Sequence, residues 1–158
     1  MDLCPTNDMK KRIKYTLFVL IAIFLGMQLI PVERSNPPVV SDLDAPIEVK
    51  TILKRSCYDC HSNEVNWPWY SYVAPVSWLV AHDVKEGREE LNFSEWSKHS
   101  DNPEMKEEII EEIVEGEMPL PIYLIVHPRA SVSEQELVVL KQWASSSVSS
   151  PGNYHDDD

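Results

Sequence analysis

Two of the chain's three cysteines stand three residues apart in Ser56-Cys57-Tyr58-Asp59-Cys60-His61, and a histidine follows the second directly. Thiols at that spacing on a helical turn face the same side. Four chemistries use such a pair: a short disulfide, a redox dithiol, part of a metal clamp, or two anchors for a porphyrin. A disulfide across so short a loop gains little chain entropy and stores strain. A thioredoxin-like dithiol belongs in a βαβ setting. A zinc site could draw on Cys57, Cys60 and either His61 or His82, but no second ligand pair follows at the usual spacing.

The fourth reading uses every residue of the motif. Cys57 and Cys60 each add across a vinyl group of one porphyrin, and His61 is carried beneath the iron as its proximal ligand, the pattern of c-type haem attachment. It calls for a group on the other face. Met118, in Gly116-Glu117-Met118-Pro119, lies 57 residues beyond His61, enough chain to pass around a haem edge. A thioether opposite histidine raises the reduction potential and closes the iron to outside ligands. His82 is the alternative distal ligand, and His127 or Arg129 could reach a propionate. The five tryptophans (67, 69, 78, 96 and 143) read as core and pocket packing.

The elements that must position these residues read as helices. Pro46 opens one with Val49, Ile52 and Leu53 inward, ending at the cysteines. A second runs from Pro75 to Glu86 with Val76, Leu79, Val80 and Val84 on one face and Gly87 as its stop. A third follows Asn102 and Pro103, carries Met105, Ile109, Ile110, Ile113 and Val114 as a stripe and ends at Gly116. The last opens on the capping box Ser133 to Glu136 and turns Leu137, Leu140, Trp143 and Ala144 inward. No alternating strand pattern occurs, so the fold class is all-α.

At the N-terminus, Lys10, Lys11, Arg12 and Lys14 precede an uncharged run from Tyr15 to Ile30. Such a run following a basic flank predicts a single transmembrane helix over 15–32, uncleaved because no small-x-small site follows it. Residues 1–14 then stay cytoplasmic and the rest lies outside, on the periplasmic face. Residues 33–45, rich in proline and polar groups, read as an extended linker, 46–147 as the folded domain and 148–158 as a disordered acidic tail. Met9 is an alternative start, which would remove Cys4. The formal charge is −12; residues 1–34 hold five Lys/Arg against three acids, leaving nine against twenty-three beyond them. So acidic an exported part disfavours nucleic acid and anionic lipid as its partners.

Taken together, Cys57 to Asn63, Trp67 to Ser71, His82 with Glu86 to Trp96, Gly116 to Pro119 and the helix bearing Trp143-Ala144 resemble the short bacterial haem-binding domains related to class I c-type cytochromes. The resemblance covers roughly residues 46–144. It implies a small cytochrome c-like fold around one covalent haem c, with thioethers at Cys57 and Cys60, His61 proximal and Met118 distal. The segment from Trp67 to Trp96 departs from small soluble cytochromes c. The expected function is single-electron transfer with a redox partner protein, the alternative being a haem-based sensor with a labile distal ligand. No enzymatic activity is expected: no Gly-rich phosphate loop, G-x-S-x-G, H-E-x-x-H or distal acid–base pair is present.

Overall fold

The computed structural model describes residues 6–146 apart from 100, 101 and 103. Its helices are α1 (Thr6–Met27), α2 (Ile47–Ser56), α3 (Tyr58–His61), α4 (Val76–Glu90), α5 (Glu104–Glu115), α6 (Pro121–Val126) and α7 (Glu134–Ser146), with short 3₁₀ turns at Trp69–Tyr72, Trp96–Lys98 and Pro128–Ala130. Among the described residues there is no strand, only a parallel bridge between Ser41 and Glu95. The acidic tail and Cys4 lie outside the described residues. The chain divides into two units, one from the residues up to Arg34 with Trp67–Asp83, the other from Ser35–Asn66 and the residues from Val84 on.

In the first unit, α1 opens well before the apolar run and closes at Met27. No helix among the described residues is long and apolar enough to cross a membrane, so the transmembrane helix expected over 15–32 is not found. The reason is local: the first half of α1 carries the basic cluster, and its uncharged part, 15–27, is about 20 Å long at 1.5 Å per residue. Gln28, just past the helix, bonds the 67–83 segment through both amide groups: its Nε2 donates to the Ala74 carbonyl (3.2 Å) and its Oε1 accepts from the Ala74 N–H (3.0 Å). Arg34 donates to the Ser71 carbonyl (3.2 Å) and lies over the Tyr72 ring.

The second unit holds the core of Leu43, Val49, Ile52, Leu53, Tyr58, Phe93, Ile109, Leu140 and Trp143. α2 follows the expected pattern, with Val49, Ile52 and Leu53 buried and Pro46 at its N-cap. α5 and α2 both pack on α7. The capping box at α7 forms as read, Glu136 N–H donating to Ser133 Oγ (3.3 Å) and Ser133 N–H to Glu136 Oε2 (2.9 Å). At α5, Asn102 Oδ1 accepts from Glu104 N–H (3.1 Å), while Pro103 lies outside the described residues.

Several expectations are corrected. Residues 35–45 are extended but no free tether: Leu43 is fully buried, and its N–H donates to the Phe93 carbonyl (3.1 Å). α4 runs through Gly87 to Glu90 instead of stopping there. Val76, Leu79 and Val114, read as members of apolar helix faces, are exposed, as is Trp69, read as packing, at 79% of its surface.

Candidate functional site

Cys57 to His61 occupy a break in the chain's helical path. α2 ends at Ser56, Cys57 turns to φ −125° and ψ −34°, and α3 winds one turn over Tyr58–His61. The Cys57 carbonyl accepts the N–H of both Cys60 (3.1 Å) and His61 (2.9 Å), which places the two thiol-bearing residues and the histidine on one turn. Tyr58, between them, is buried in the core. Its ring stacks on Phe93 at 5.0 Å and 5°, and its hydroxyl donates to Asp42 (2.9 Å). Burial, then that bond, holds the phenol well above its usual range. The motif's first variable residue is therefore its root in the core.

Asp59 ties the turn to two further segments. One carboxylate oxygen accepts from the Asn66 N–H (3.1 Å), the other from the hydroxyl of Tyr123 on α6 (2.7 Å). Tyr123 itself stacks on His127 at 4.4 Å.

His61 is partly buried, and its Nδ1 faces the Leu91 carbonyl at 3.2 Å. Only a protonated Nδ1 satisfies a carbonyl, so the neutral ring carries its lone pair on Nε2. Burial lowers the His61 pKa below its ordinary value, against the smaller opposing pull of the Leu91 and Gly87 carbonyls, so the ring is neutral near pH 7. This is the state and tautomer in which an imidazole ligates a metal.

The loop supplying that carbonyl is itself fixed. Phe93 N–H donates to the His61 carbonyl (2.8 Å). Asn92 Nδ2 donates to Asn63 Oδ1 (3.0 Å), Asn63 N–H to Ser94 Oγ (2.9 Å) and Ser94 N–H to Asn92 Oδ1 (3.0 Å), all buried. Gly87 lies against the turn from α4: a Cβ there would stand 3.0 Å from the Cys60 carbonyl oxygen, tighter than side chains ordinarily pack, so the close approach favours glycine.

Cys57 and Cys60 are not joined to each other in a disulfide. Burial, then the neighbouring Cys60, pushes the Cys57 thiol up to about 12, the opposite of the lowered pKa that a redox-active dithiol needs. Among the described residues no three His, Cys, Asp or Glu side chains gather to hold a metal ion on their own. What the turn offers is two thiols and one imidazole with an oriented lone pair, a donor set that fits a haem.

Met118 is half-buried just beyond α5, which ends in a complete Schellman cap: Gly116 sits at φ +79°, Glu117 N–H donates to the Glu112 carbonyl (3.0 Å) and Gly116 N–H to that of Ile113 (3.3 Å). The segment after it leads into α6 and so to the Tyr123–Asp59 bond. His82 is exposed on α4, in the stretch that belongs to the unit of α1.

The sequence motifs did not single out Leu91, Asn92, Ser94, Asp59 or Tyr123, although Asn63 and the stretch from Glu86 to Trp96 carried part of the family resemblance. Backbone acceptors leave no mark on residue type; the glycine four residues before Leu91 was the available signal, and it reads equally well as a helix stop.

The Cys-x-x-Cys-His turn thus sits in an all-helical unit with its histidine oriented by the Leu91 carbonyl. The chain belongs to the haem-binding domain family, which matches it over residues 22–146. No curated protein and no solved structure matches it.

Proposed function

We propose that the protein is a membrane-anchored monohaem c-type cytochrome that passes single electrons to and from a redox partner protein on the periplasmic face of the cytoplasmic membrane. Cys57 and Cys60 hold the haem by thioether bonds, His61 is the proximal ligand and Met118 the distal one. The observation that carries this reading is the Nδ1 contact of His61 to the Leu91 carbonyl within the turn that bears both thiols. The bound haem supplies one-electron exchange between ferric and ferrous iron; the chain supplies attachment, ligand orientation and a low-dielectric surround. Leu91 fixes the histidine tautomer and strengthens the imidazole as a donor.

Anchoring rests on α1, whose Leu17, Phe18, Leu20, Ile21, Ile23, Phe24 and Leu25 are exposed, with the basic cluster on its N-terminal flank. A helix shorter than the hydrocarbon layer is accommodated by local thinning and by flanking lysines reaching for the headgroups.

Absorption spectra of the exported protein test the function. A low-spin ferrous spectrum, reversible one-electron oxidation and indifference to carbon monoxide are expected. Ready carbon monoxide binding by the wild type would favour a sensor over a carrier.

A further inference from the structure

The second half of the first unit exposes apolar side chains that a self-contained helical domain would turn inward. Trp69 and Tyr72, three residues apart on one 3₁₀ turn, are 79% and 58% exposed, and Val76 and Leu79, three apart at the start of α4, are 42% and 44% exposed. Side chains at that spacing share a face of their helix. Leu29 and Ile30, next to Gln28, are also exposed.

This surface is joined to the end of α1. Ala74, between the two exposed pairs, is buried and has both its backbone groups bonded by Gln28; Arg34 holds Ser71 and covers Tyr72. Gln28 Nε2 also donates to the Phe24 carbonyl (3.0 Å), so its amide is satisfied where an apolar environment would penalise a free one. A Trp, a Tyr and an Arg at the outer end of an apolar helix are the residue types that settle at the boundary between headgroups and acyl chains.

We infer that Trp69, Tyr72, Val76 and Leu79 form a second membrane contact, seated in the headgroup–acyl boundary of the same bilayer that α1 enters. The inference rests on the anchoring proposed above and accounts for two findings together: an uncharged helical stretch too short to cross alone, and an exposed apolar surface bonded to its outer end. A bilayer, not a protein, is the occupant because the surface continues from α1.

The full-length protein, reconstituted into phosphatidylcholine vesicles containing a phospholipid with a photoactivatable group at the top of its acyl chain, is irradiated and its adducts mapped by peptide mass spectrometry. The expected result is labelling of 69–79 comparable to that of 15–27 and many-fold above that of 134–146. Replacing Trp69→Asp together with Leu79→Asp should remove most of the 69–79 adducts and leave those on 15–27. Adducts on 15–27 alone in the wild type would overturn the second contact and keep the anchor. Adducts on neither would overturn the anchor and this inference with it. Cross-links between the 69–79 segments of two chains, in place of lipid adducts, would assign the surface to self-association instead.

Discussion

Around His61 and around Met118 the chain uses different means. The His61 turn is held by a buried network: Tyr58 in the core, Asn63, Asn92 and Ser94 bonded in a ring, the Leu91 carbonyl on Nδ1 and Gly87 pressed against Cys60. The Met118 turn is held by backbone bonds, Glu117 and Met118 both donating to the Glu112 carbonyl (3.0 and 3.1 Å) past the Gly116 cap. One side of the proposed haem is a turn cross-linked by buried side chains and backbone. The other is a helix end, tied to the first through Tyr123 and Asp59. Under the proposed ligation, such a division makes His61 the fixed ligand and Met118 the adjustable one.

The largest effects should come from removing each ligand in turn. His61→Ala should leave haem attached through the thioethers but convert the iron to high spin. Met118→Ala should instead make the ferrous iron bind carbon monoxide while His61 stays in place. If Met118→Ala changes neither spectrum nor binding and His82→Ala opens the iron, the distal role passes to His82 and the comparison loses its second member.

Gly87→Ala strikes the fixed side through packing. Helix propensity favours alanine by about 1 kcal/mol, but a Cβ 3.0 Å from the Cys60 carbonyl forces two backbones apart, and overpacking of this kind costs about 1–3 kcal/mol. A net loss in urea-unfolding stability is expected; a gain would show that the turn yields freely. Smaller still is Tyr123→Phe, which removes one hydrogen bond to a carboxylate and should cost about 1 kcal/mol. Because that bond links the two turns, it should also raise carbon monoxide access in the otherwise wild-type protein. Stability loss without that gain would separate them.

The smallest effect is one of pH. Arg55, bonded to Glu136 at 2.6 and 3.0 Å, and after it the Ser133 N–H hold the Glu136 carboxyl down to about 2 from its ordinary 4.5. A depressed carboxyl contributes stability that is present above its unfolded pKa and is lost as pH falls through the folded one. Acid unfolding of the wild type should therefore carry a slope between about 4.5 and 2 that Glu136→Gln removes. Both partners are partly exposed, so salt should weaken it.

Features that lie within one segment are legible in its residues; those that depend on distant backbone are not. Helices with caps and stripes were legible: Ser133 to Glu136, Asn102, Gly116 and the Val49–Leu53 face all do what their types suggest. The motif itself named its own thiols and histidine. Hidden were the features that depend on distant backbone, such as the Leu91 carbonyl, the burial of Leu43 within a proline-rich stretch and the passage of α4 through Gly87. α6 was missed because six residues opening on Pro121 carry too little periodicity to separate from a loop. Trp69 was misread as packing, and the face of Val76 and Leu79 left unassigned, because an apolar stripe reports that a surface is covered, not by what.

Central to the proposed function is a haem bonded to Cys57 and Cys60. Acidified organic solvent applied to the purified, unfolded full-length protein decides it. Haem absorbance should remain with the polypeptide of the wild type and pass entirely into the solvent from Cys57→Ala with Cys60→Ala; haem extracted intact from the wild type would contradict the covalent assignment.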